Sequence, residues 1–208
     1  MTICGSLRRL SLLVVATLAL VAGASDPARA SIEGCPDSAS EQYFLRWLDP
    51  IYYKLAPNGG LENGATSWSL TGGARVVPGN ETFYVRSAAD RYSLALPFGS
   101  SATTGTTCVN TLDATMRLFV MNSGSLLSLL KVEVLYTDVL GVSCAQTDAL
   151  LPGISRCTPS LPVLNLANLL YPPLLTKGHV DIAFRFTPVG VLGSWRIDDV
   201  FVDPFKGA

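Results

Sequence analysis

The sequence predicts an all-β fold, a jelly-roll β-sandwich of about eight strands with an N-terminal arm containing a short helix. Three observations point there. Leu130–Thr137 and Val180–Phe186 alternate apolar and polar side chains with period two, the spacing of a half-buried strand. Glycine and proline turn signals separate short runs of β-formers, as at Pro78-Gly79-Asn80 and Pro188–Gly193. Helical spacing is clear over one short stretch, Glu41–Leu48. Short strands at such intervals fit two sheets packed face to face, with the edges covered by loops.

Residues 1–30 read as an export signal. Arg8 and Arg9 open it, Leu10–Ala22 is an apolar run, and Ala28-Arg29-Ala30 places small residues where a signal peptidase cuts. The run is too short for a membrane span, so no span is expected once it is removed. Ser31–Pro57 forms the arm. Its residues Tyr43, Phe44, Trp47 and Leu48 recur at helical spacing until Pro50 stops the pattern, and these aromatics are expected to pack on the body.

Residues 58–208 form the sandwich domain. Asn58–Gly64 is a glycine-rich turn, and Trp68–Val77 is a strand pair broken at Gly72-Gly73. Thr82–Arg86 is a strand by its β-formers, as is Tyr92–Leu96 before Pro97. Gly99–Thr107 is a loop by composition. Thr115–Asn122 is apolar on both faces and reads as a central strand, joined by Asn122–Ser125 to the alternating Leu130–Thr137. Val139–Pro159 is irregular, and Val163–Leu170 fits a short helix or a crossing strand equally. Val180–Phe186 and Trp195–Val202 complete the sheets.

Charge and cysteine content limit the partners. Without residues 1–30 the chain keeps 12 Lys+Arg against 15 Asp+Glu, a net charge of −3. That balance excludes nucleic acid as a partner, since phosphate binding needs clustered cations. Cys35, Cys108, Cys144 and Cys157 remain, and in an oxidising compartment four cysteines make two disulfides out of three possible pairings. The favoured pairing is Cys144–Cys157, closing a short loop, with Cys35–Cys108 tying the arm to the body.

No catalytic constellation is legible. His179 is the single histidine and sits at a strand entry, so a Ser-His-Asp relay has no evident base. Adjacent carboxylates such as Asp198 and Asp199 point to opposite faces of a strand and cannot serve as a glycosidase pair. Asn80-Glu81-Thr82 matches a glycosylation sequon, which a bacterial-type export route leaves unused.

Two distant stretches carry a resemblance. Asn58–Trp68, reading NGGLENGATSW, and Ser194–Pro204, reading SWRIDDVFVDP, resemble the two ends of jelly-roll carbohydrate-binding modules of galactose-binding-like fold. Leu61 stands where those modules usually have Phe. The resemblance implies that the two stretches meet and share a structural calcium, with Glu62 and Asp198 as carboxylate ligands and Asp199 as a further candidate. Calcium suits several oxygens supplied partly by a glycine turn. Pairing of Glu62 and Asp198 with Arg75 or Arg196 is the metal-free alternative. The resemblance also implies a secreted, non-catalytic protein that recognises a glycan or cell-wall polysaccharide, and a monomer. A structural or protein-interaction role in the cell envelope is the other reading. Aromatic faces for stacking on sugar are then sought at Trp195, Trp68, Tyr84 and Tyr92.

Overall fold

The computed structural model describes residues 35–36, 39–110, 115–137, 141–164 and 179–203. Residues 1–30, read above as an export signal, lie outside these residues, as do residues 165–170 of the helix-or-strand segment. The described residues all belong to one compact unit.

Among the described residues thirteen strands form two antiparallel sheets. The first contains β1 (Lys54–Leu55), β3 (Arg75–Pro78), β4 (Tyr92–Pro97), β7 (Thr115–Asn122), β10 (Thr158–Pro159), β11 (Val163–Leu164) and β13 (Ser194–Val202). Its order is β10-β7-β13-β4-β3, with β11 also pairing β7 and β1 also pairing β13. The second contains β2 (Ser69–Thr71), β5 (Ser101–Thr103), β6 (Thr107–Asn110), β8 (Leu129–Thr137), β9 (Ser143–Leu151) and β12 (His179–Val189). Its order is β2-β5-β12-β8-β9, with β6 also pairing β12. This is the jelly-roll sandwich that the alternation predicts.

The alternation sets the core. Ile182, Phe184 and Phe186 face inward from β12, opposite Tyr136, Val134 and Val132 of β8. From the other sheet, Trp195 and Ile197 of β13 meet them beside Leu96, Leu94 and Val120. Burying each such side chain contributes about 1.5–3 kcal/mol. Trp68 and Trp195 belong to this core rather than to a surface. Their indoles donate to Asn58 O (3.0 Å) and Ser128 Oγ (2.9 Å), so each tryptophan has its polar atom satisfied inside.

The first sheet has a second apolar cluster on its outer face. Phe119 and Phe201 point away from the sandwich, and the arm covers them with Phe44, Tyr43 and Trp47. The predicted helix contracts to one 3-10 turn, Leu45–Trp47, ended by Leu48 in a left-handed conformation. Arg117 pins this arm. It forms an ion pair with Asp49 (2.6 Å), donates twice to Ser160 O, and lies 4.0 Å over the Phe44 ring.

Three segments depart from the sequence reading. Thr82–Arg86 is not a strand. Glu81 offers both carboxylate oxygens to the N–H groups of Phe83 and Val85 (2.6 Å), so a side chain takes the place of a neighbouring strand. The composition loop 99–107 contains β5 and begins β6, and the irregular 139–159 contains β9. Among the described residues β9 is an edge strand paired only with β8, and polar residues on both of its faces hide the period.

The same strand overturns one disulfide. Cys35–Cys108 is formed, whereas Cys144 and Cys157 are not bonded. Cys144 opens β9, whose extended run carries the chain some 20 Å along the second sheet before it turns. Cys157 packs against the outer cluster of the first sheet. The loop that looked short in sequence is spent as a strand.

Candidate binding cleft on the outer face of the first sheet

The loop after β3 and the N-terminal arm stand side by side on the outer face of the first sheet. Gly79, in a left-handed conformation (φ 110°), turns the chain out of β3, and a Cβ there would lie 2.6 Å from Arg196 Nη2. The guanidinium uses that space to donate to Pro78 O, Gly79 O and Ser93 Oγ. Next, Glu81 N donates to Asp198 Oδ2 (2.9 Å), fastening the loop to β13. The turn capped by Glu81 then sets Phe83 edge-on to Trp47, with ring centroids 4.9 Å apart.

Between these elements lies a cavity of about 570 Å³. Trp47, Phe83 and Phe119 form its apolar wall, while Asn80, Ser93 and Arg196 supply polar groups. Both amide atoms of Asn80 are enclosed without a hydrogen-bond partner. Asn80 also borders a shallower depression that holds Tyr84 and Tyr92, which are 53% and 40% exposed. Of the four aromatics singled out from sequence, these two therefore reach a surface next to the cleft. Trp68 and Trp195 do not.

The acid–base groups of the cleft are already engaged. All four carboxylate oxygens of Glu81 and Asp198 accept backbone N–H groups, from Phe83, Val85, Glu81 and Asp199. Burial raises the pKa of Asp198, and the Asp199 charge beside it raises it further, so this carboxyl favours its neutral form. Burial also pushes the Cys157 thiol up to about 12, which leaves it un-ionised and a poor nucleophile. Among the described residues the site presents rings and hydrogen-bonding groups, with both of its carboxylates engaged by backbone N–H groups.

The opposite face, on the second sheet, is different. Its centre is an ion cluster in which Glu133 accepts from Arg185 (2.8 Å) and pairs with Lys131 (3.0 Å). The Arg185 hydrogen bond holds the Glu133 carboxyl below its usual range despite burial.

The turn and the terminal strand do meet. Ala56 N donates to Val200 O (2.9 Å) and Val200 N to Gly59 O (3.2 Å), at a bulge in β13 between Asp198 and Phe201. The carboxylates expected as calcium ligands each have protein partners. Glu62 Oε1 accepts from Arg91 N (2.8 Å) and Tyr92 N (2.9 Å). Asp198 faces the cleft with both oxygens engaged, and Asp199 pairs with Arg86 (3.2 Å). Among the described residues no group of three His, Cys, Asp or Glu side chains is placed to hold a metal ion. Each of the three carboxylates is engaged by protein groups instead.

Sequence reasoning missed Trp47, Phe83, Asn80 and Arg196 as a set. They come from the arm, a loop and the last strand, and no local motif links them. The lone hint was Glu81 beside two aromatics, which reads as a strand when its capping role is not seen.

No protein-family model and no curated protein matches the chain. Solved structures do resemble it. The CBM22-1 xylan-binding domain of Paenibacillus barcinonensis Xyn10C is 14% identical with a TM-score of 0.46, over 72% of this chain and 94% of that one. The family 11 carbohydrate-binding module of a Clostridium thermocellum cellulosomal cellulase is 11% identical with a TM-score of 0.40, over 76% and 98%. TmCBM61, solved with β-1,4-galactotriose, is 16% identical with a TM-score of 0.39, over 72% and 97%. The jelly-roll assignment itself rests on the two antiparallel sheets of this chain.

Proposed function

We propose that this is an exported, non-catalytic binding protein that takes a segment of polysaccharide into the outer-face cleft of the first sheet. The observation that carries the proposal is the conjunction of ring walls and unspent polar atoms. Sugars offer apolar C–H faces and a rim of hydroxyls. Trp47 and Phe83 match the first, while the Asn80 amide, enclosed and unpaired by protein, matches the second. A cavity of about 570 Å³ lies within the usual range for small-ligand sites. Tyr84 and Tyr92 extend the aromatic surface beyond Asn80, as a chain longer than one sugar requires. The engaged carboxylates support binding without hydrolysis. Export is supported by the charged and apolar pattern of residues 1–30.

A glycan-array screen of the purified protein tests this, with Trp47→Ala and Asn80→Ala beside it. The wild type is expected to bind a defined polysaccharide class. Each variant is expected to lose about tenfold in affinity, equivalent to about 1.4 kcal/mol, without a matching loss of fold by circular dichroism. Binding unaffected by both substitutions would move the site elsewhere.

A second reading, protein interaction in the envelope, rests on two neighbouring loops at one end of the sandwich. Leu126, Leu127, Val191 and Leu192 are all exposed there, and Ser125 N donates to Leu192 O across the gap. An array silent for every glycan would leave this reading in front.

A further inference from the structure

The structure assigns the cation that joins the opening turn to the terminal strand to the protein itself: we propose that the guanidinium of Arg86 fills the position a metal would take. Arg86 Nη1 lies 3.2 Å from Asp199 Oδ1 and 3.3 Å from Asp90 Oδ2. Both aspartates are buried, and they come from the terminal strand and from the residues just before β4. The third side is the opening turn. A Cβ on Gly60 would overlap Nη1 of Arg86 and lie 2.9 Å from Asp199 Oδ1. The missing side chain is what lets the guanidinium reach the junction. The turn is held at the same place by the two hydrogen bonds between Val200 and residues 56 and 59.

The charges support the assignment. Two buried carboxylates facing each other need a positive partner, and Arg86 supplies one fixed charge. A divalent ion added to the same space would sit against that charge. Glu62, the residue expected to complete a cage, is turned to the Arg91 and Tyr92 N–H groups. Asp199 Oδ2 has no hydrogen-bond partner and Asp90 Oδ2 meets Arg86 as an ion pair, so both are acceptors left over once the guanidinium is removed. The clamp also holds the far end of the loop that brings Asn80 and Phe83 to the cleft.

The test is thermal melting of the full protein in chelator and in millimolar calcium, for wild type, Arg86→Ala and Arg86→Lys. The wild-type midpoint is expected to be the same in both media. Arg86→Ala is expected to melt lower in chelator and to recover by about 5–10 °C in calcium, the shift given by a site held near a hundredfold its dissociation constant in a domain of this size. Arg86→Lys keeps a cation and should stay insensitive to calcium. Terbium luminescence, excited through nearby Tyr43, reads the same site without melting and is expected from the alanine variant alone. A wild-type midpoint that rises with calcium, or terbium emission from the wild type, would overturn the assignment. So would an alanine variant that neither recovers in calcium nor binds terbium. These readouts do not depend on glycan binding.

Discussion

Replacing Arg117 by methionine tests whether the arm is an integral wall of the outer face. The Arg117 and Asp49 side chains are only 5% and 11% exposed, and their ion pair measures 2.6 Å. Methionine keeps much of the side-chain volume but removes the charge, the two donations to Ser160 O and the contact with the Phe44 ring. Asp49 retains Tyr53 OH (2.9 Å) and Ile51 N (3.1 Å) as neutral donors, but it is left buried without a cation. Breaking one side of a buried pair costs about 3–5 kcal/mol. In a domain of this size that lowers the melting midpoint by roughly 6–20 °C. Removing both charges, with Asp49→Leu added to Arg117→Met, relieves the stranded carboxylate and is expected to recover much of the loss. Urea denaturation of the four proteins gives the coupling energy. Single and double variants that add simply, or an Arg117→Met protein within about 1 kcal/mol of wild type, would refute the reasoning.

Other outcomes follow from the same contacts. Asp198 has its pKa raised by burial and by Asp199, so the native state holds a proton that the unfolded chain gives up at the ordinary carboxylate value of 3.8. This contribution to stability is full below that value and is lost as pH rises through the raised folded pKa. Melts across the pH range should show it, and Asp198→Asn should flatten the decline. Glu81→Ala removes the acceptor for Phe83 N and Val85 N; it is expected to cost about 1–3 kcal/mol in urea denaturation and to weaken ligand binding together with it. Non-reducing peptide mapping is expected to recover Cys35 linked to Cys108, with Cys144 and Cys157 as alkylatable thiols after unfolding.

The strands that sequence made legible are those whose two faces differ strongly, or are both buried. β7, β8, β12 and β13 carry dense apolar residues at the spacing of a strand, and they form the centre of both sheets. β9 was hidden because an edge strand has no second neighbour and tolerates polar residues on both faces. Thr82–Arg86 misled for a different reason: its β-formers are real, but Glu81 satisfies the backbone from within the loop. The meeting of the Asn58–Gly64 turn with the last strand was expected from the resemblance alone, and the missing side chains of Gly59 and Gly60 are what permit the close approach in the structure. Which carboxylate faces the turn was not legible. The bulge in β13 puts Asp199 in a left-handed conformation (φ 47°) and directs it to Arg86, a residue that no local pattern connects to the strand. Trp68 and Trp195 show the same limit, since flatness for stacking and bulk for a core are the same property of a tryptophan.

The most direct measurement is a ¹⁵N-resolved NMR titration of the protein with an oligosaccharide of the class selected on the array. The cleft predicts shifts of the Trp47 indole N–H, the Asn80 side-chain amide and the backbone of residues 80–84, with the second sheet unmoved. Shifts centred on Glu133 and Arg185 of the opposite face, with Trp47 and Asn80 silent, would contradict it.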